Sequence, residues 1–150
     1  MQMNTRLHIV LPCVLLAVVF LAGCDSPDRE PIRKLLSRVT EDVTRKLRPE
    51  LNGLHGAERG FTAFRDESQE TYMIIDDFLA SGPPISDNAR EMVVAYRDAA
   101  FSAYQHYDTL LSSENLDLSE DEFKEGTALM YDTIAKMDQL GQFLKDGDLD

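Results

Sequence analysis

An all-α fold, arranged as an up-and-down four-helix bundle, is what this 150-residue chain predicts. Three observations carry the prediction. Apolar residues recur every three or four positions over four long stretches, and no stretch alternates with period two. Turn-forming clusters separate the stretches at Asn52-Gly53, at Ser81-Gly82-Pro83-Pro84 and from Ser112 to Leu118. Helices of about 24 residues joined by such short connections pack as antiparallel neighbours.

The first helix is expected from Asp28 to Leu51, with Ile32, Leu36, Val39, Val43, Leu47 and Leu51 on one stripe and Pro31 in the first turn, where its missing N–H costs nothing. Asn52-Gly53-Leu54-His55-Gly56 reads as a stop and turn. The second helix follows from Ala57 to Ala80, its stripe being Ala57, Phe61, Phe64, Ser68, Tyr72, Ile75 and Leu79, with Ser68 out of character. That stripe continues the first in phase. One long bent helix, kinked near Pro49 and giving a three-helix bundle, is therefore the alternative.

Two prolines after Gly82 end the second helix, since proline cannot continue one. The third starts with Ser86 or Asp87 as N-cap. It is expected to bury Ala89, Met92, Tyr96, Ala99, Ala103, Tyr107 and Leu110, small enough in places for a neighbour to approach closely. Ser119-Glu120-Asp121-Glu122 matches a capping box, which opens a fourth helix running to about Leu144. Phe123, Met130, Ile134, Met137 and Leu144 are its expected inward residues.

Charge divides the chain unevenly. From Asp25 to Arg65 nine basic residues face seven acidic ones, whereas from Asp66 onward five basic residues face twenty acids. Nucleic acid is excluded as a partner by that balance, because phosphate binding needs a concentrated basic patch. A basic protein suits the acidic half better. The basic flanks of the first helix either meet anionic lipid or offset the acidic helices packed against them.

Known chemistries find little footing. A di-iron bundle needs Glu-x-x-His, but Asn52 and Ala103 stand three residues before His55 and His106. His106 with Met130 and Met137 resembles a haem-ligating pair only superficially: no C-x-x-C-H motif is present, and such residues at helical spacing are usually core. His55 falls in the expected first turn and reads as solvated. The densest acidic cluster is Glu114, Asp117, Glu120, Asp121, Glu122 and Glu125. It fails as a calcium loop, because counting from Asn115 puts Glu120 where glycine is required and Gly126 where glutamate is. Acids at a helix start complement its dipole, and they also make a surface for a basic partner. No nucleophile elbow, phosphate loop or H-E-x-x-H occurs, so an enzyme is not expected.

The amino-terminal stretch has its own grammar. Arg6 and the N-terminus are positive, Ile9 to Leu21 is apolar apart from Pro12, and Leu21-Ala22-Gly23-Cys24 closes the run. This tetrapeptide resembles the lipobox of bacterial lipoproteins. The resemblance implies cleavage before Cys24 and a diacylglycerol on its sulfur, so that residues 1–23 are signal peptide, 24–28 a short tether and 29–150 the folded domain. Asp25 resembles the signal that keeps enterobacterial lipoproteins in the inner membrane, facing the periplasm. With Cys13 removed and Cys24 acylated, no thiol is left for a disulfide, and no cofactor is expected beyond the covalent lipid.

The expected function is that of a membrane-tethered, non-catalytic interaction module of the cell envelope, an immunity or exclusion factor being its sharper form. Its surface would be the acidic cluster. The alternative is a periplasmic ligand-binding or sensor bundle, with a pocket between the third and fourth helices.

Overall fold

The computed structural model describes residues 26–50, 56–112 and 119–146, with side chains at all of these except 44–50, 56, 57 and 146. Four helices and no strand occur among the described residues: α1 (Arg29–Glu50), α2 (Gly56–Ala80), α3 (Asp87–Leu111) and α4 (Glu120–Asp146). At 1.5 Å per residue each is about 33–40 Å long. The all-α bundle expected from periodicity is the fold observed. Leu47, Leu51, Ala57 and the Asn52–His55 turn fall outside the described side chains or residues.

Two apolar clusters give the chain direction of every helix. The first joins Ile32 and Leu35 near the start of α1 to Ile74 and Ile75 near the end of α2, Ala89 and Val93 at the start of α3, and Leu140 near the end of α4. The second joins Phe61 at the start of α2 to Tyr107 and Leu110 at the end of α3, with Met130 from the first half of α4 packed on them. Successive helices therefore run antiparallel. Arg38 reaches Asp77 at 3.8 Å across the α1–α2 seam, so α1 and α2 fold back on one another as two helices instead of forming one. Adjacent helices pack in ring order, and the seam between α4 and α1 is the loosest of the four.

Local chemistry sets the ends. Gly82 takes a φ of 65°, which only glycine adopts without strain, and its N–H bonds to the carbonyl of Leu79 to close α2. Ser86 is the N-cap of α3, its hydroxyl accepting the Ala89 N–H. At α4 the capping box forms in full: Ser119 Oγ accepts the Glu122 N–H at 3.2 Å, and the Glu122 carboxylate accepts the Ser119 N–H at 2.9 Å.

Several inward assignments shift by one residue. On α2 the buried position is Thr71, not Tyr72, whose ring packs on Phe101 at the edge of the α2–α3 seam with centroids 4.8 Å apart. Phe123 is 58 % exposed, because it lies in the first turn of α4, beyond the last layer of core. Leu140, absent from the expected stripe, is fully buried, as are Val93 and Ala100. A helix in a four-helix ring touches two neighbours, so its buried face is wider than a single stripe. Met92 and Leu144 are partly buried against the core.

Candidate functional site

Ring order and alternating direction put the start of α1, the α2–α3 connection and the end of α4 at one end of the bundle. The opposite end holds the start of α2, the end of α3 and the start of α4. Of the expected surface residues, Glu120, Asp121, Glu122 and Glu125 lie in the first six residues of α4, all exposed at this second end. Glu114 and Asp117 lie outside the described residues, as do Cys24 and Asp25.

The four described acids are not equivalent. Glu122 is occupied by the capping box, and the Ser119 hydrogen bonds hold its carboxyl below the ordinary carboxylate range. Glu120 pairs with Lys124 at 2.7 Å. Asp121 and Glu125 are left facing solvent. Among the described residues no group of His, Cys, Asp and Glu is arranged to hold a metal ion. His106 rests its Nε2 at 3.2 Å from the Glu122 carbonyl and its ring edge-on against Tyr107, while the Met130 sulfur accepts the Ser68 hydroxyl at 3.7 Å. The two are engaged separately.

The basic flank of α1 is met by acids. Arg33 and Lys34 both pair with Glu30, and Arg38 lies between Asp42 and Asp77. These exposed pairs contribute little stability individually. They do show that Arg33, Lys34 and Arg38 already have negative neighbours.

At the first end, Asp28 is 2 % exposed and holds the α2–α3 connection. Its two carboxylate oxygens accept the Ser86 N–H at 2.6 Å and the Ser86 hydroxyl at 2.5 Å. Of the segment read as tether, Asp28 is thus bound into the bundle, and its own carbonyl accepts the Ile32 N–H that starts α1.

A cavity of about 110 Å³ lies between the two apolar clusters. Val39, Thr40 and Val43 of α1 face Met130, Thr133, Ile134, Met137 and Asp138 of α4 across it, and Glu67, Ser68, Thr71 and Tyr96 make its polar floor. This cavity draws on all four helices at the loose α4–α1 seam, whereas the expected pocket lay between the third and fourth. Ser68, Thr71 and Tyr96 are almost fully buried. Burial pushes the Tyr96 phenol well above its usual range, the neighbouring Glu67 charge adds to this, and the Thr71 hydroxyl bonded to it works the other way. Glu67 is largely buried as well, and burial alone raises its carboxyl above the ordinary value. Ser68 in an otherwise apolar stripe was the one visible sign of this polar layer. Glu67 and Thr71 carry no such sign, because each is ordinary on a solvated helix face.

No helix among the described residues is long and apolar enough to cross a membrane. Comparison with family models, with curated proteins and with solved structures finds no match for this chain.

Proposed function

We propose that this protein is a bacterial lipoprotein, held on the periplasmic face of the inner membrane by an acylated Cys24, and that its bundle is a non-catalytic module for binding a basic envelope protein. The lipobox resemblance and Asp25 support the address. What carries the reading is the polarity of the bundle. Asp28, four residues after Cys24, is bound into one end, and the acidic start of α4 stands at the other. Only Asp25 lies between Cys24 and Ser26, two residue steps with a reach of at most about 7 Å. The acyl chains would keep that end at the headgroups, each buried methylene contributing about 0.8 kcal/mol. The acids would then stand a helix length away, about 35 Å from the anchor, where an incoming toxin or transfer component arrives first. Such interception is the immunity or exclusion form of the same activity.

Two measurements test it. Cys24→Ser should move the protein from the membrane to the soluble envelope fraction; a serine variant still lodged in membranes defeats the anchor. The pair Asp121→Lys and Glu125→Lys spares Glu120 and Glu122, which serve α4 itself. It should leave the melting temperature unchanged and abolish salt-sensitive capture of a basic partner by the lipidated protein. Equal capture by the parent and the reversed protein defeats the acidic surface.

A further inference from the structure

We propose that the cavity at the α4–α1 seam is a binding site for a small alkylammonium ligand, its positive head at the Glu67 carboxylate and its hydrocarbon against Val39, Val43, Ile134 and Met137. The inference is independent of the partner surface, which lies at the start of α4.

The lining selects the ligand class. Among the described residues that line the cavity, two are carboxylates, Glu67 inside and Asp138 exposed at the rim, and none is Lys, Arg or His. An anionic ligand would therefore be repelled. Burial raises the Glu67 carboxyl above its ordinary value. A neutral apolar occupant would offer that carboxyl no partner, in a site where an ionised group is costly unless paired. An ammonium supplies both the opposite charge and the hydrogen-bond donors.

The walls define the remainder. Val39, Val43, Ile134, Met130 and Met137 give the hydrocarbon an apolar wall, and methionine adapts its shape to a flexible chain. A volume of about 110 Å³, set beside the roughly 150 Å³ cavity that accommodates benzene, suits a chain of about four or five carbons. Ser68, Thr71 and Tyr96 lie next to Glu67 on the floor and can receive or orient the head. Position favours entry too, because the seam between α4 and α1 is the loosest of the four and opens without disturbing the tight α2–α3 pair.

The experiment uses n-butylammonium chloride as probe, with sodium chloride at equal ionic strength, magnesium chloride and n-butanol as comparisons, on the folded protein followed by circular-dichroism melting and methionine-methyl NMR. Butylammonium should raise the melting temperature in a saturable way. It should shift the methyl signals of Met130 and Met137 and leave exposed Met73 unmoved. Glu67→Gln should weaken binding by about tenfold or more, as loss of a charge-assisted bond requires. Ile134→Phe, which fills the cavity and keeps Glu67, should abolish the methyl shifts if Glu67→Gln proves unable to fold. Methyl shifts that are absent, that are matched by butanol or magnesium, or that persist undiminished in both variants overturn the proposal.

Discussion

Removing the Asp28 carboxylate should cost more than any other change at the surface of this bundle, although the residue sits at its margin. Asp28→Ala deletes two hydrogen bonds that join residues 58 apart in the chain, both to Ser86. A hydrogen bond to a carboxylate contributes about 1.5–3 kcal/mol net. The two here share one partner residue, and Ser86 is exposed enough for water to replace part of what is lost, which sets the expected cost at about 2–4 kcal/mol in total. For a domain of this size that corresponds to roughly 10 °C in melting temperature. Ser86→Ala removes one of the same bonds together with the α3 cap to the Ala89 N–H, itself worth about 1 kcal/mol. The double variant should therefore lose less than the sum of the singles, by about 1–2 kcal/mol. Chemical denaturation of the four proteins in the cycle measures this directly. An Asp28→Ala protein within about 0.5 kcal/mol of the parent, or strict additivity with Ser86→Ala, would refute the claim that this contact fastens the start of α1 to the α2–α3 connection.

Three further outcomes are expected. Leu140→Ala, at a fully buried site that ties α4 to the first apolar cluster, should lose about 2–5 kcal/mol by denaturant melt. Gly126→Ala sets two effects against each other: alanine gains about 1 kcal/mol of helix propensity, but its Cβ would stand 2.9 Å from Tyr107 Oη and 3.0 Å from His106 Nε2. Tyr107 cannot swing clear, since Phe61 and Phe64 pack on its ring at 5.8 and 5.4 Å, so overpacking of about 1–3 kcal/mol should win; Tyr107→Phe should recover part of the loss. Glu67→Gln should alter how stability depends on pH. Because the folded protein holds the Glu67 proton more tightly than the unfolded chain, its contribution is fully present below the ordinary carboxyl value of 4.5 and is lost as pH rises through the raised value. Tyr96 of α3 and Asp138 of α4 are the titratable groups facing it across the cavity among the described residues. The variant should thus gain on the parent as pH rises, and a constant difference across the acid range would contradict the assignment.

Much of this architecture is legible in the chain because the signals are local. Gly82 followed by Pro83 and Pro84 can only end a helix, and Ser119 with Glu122 caps one from side chains three residues apart. Ser86 as N-cap belongs to the same class. What the stripe misses is its width. Thr71 and Tyr72 are adjacent, and which of them points inward depends on where α1 and α3 stand around α2, a property of the ring and not of the period. Leu140 is missed for the same reason. The Asp28–Ser86 bond lies deeper still beyond sequence reasoning, since an aspartate before a proline-containing first turn reads equally well as a solvated cap.

The cavity lies beyond that same limit, and its polar floor calls for a physical reason of its own. Ser68 and Thr71 are buried polar residues of α2 between its contributions to the two apolar clusters, and Tyr96 belongs to the first cluster. Replacing Ser68 and Thr71 with leucine would fill the gap with apolar contacts, and filling voids generally stabilises a bundle. Instead the layer carries hydroxyls, a buried phenol and a largely buried carboxyl at the seam where neighbouring helices hold each other least. Stability alone would not select such a layer, because a carboxyl whose burial raises its proton affinity works against the folded state at neutral pH. A role in binding accounts for it: the feature that weakens the empty bundle is the one an ammonium ligand would satisfy, and occupation would then tighten the α4–α1 seam. If Ser68→Leu combined with Thr71→Val gave a more stable protein that still bound butylammonium undiminished, that link between the polar layer and the ligand would be broken.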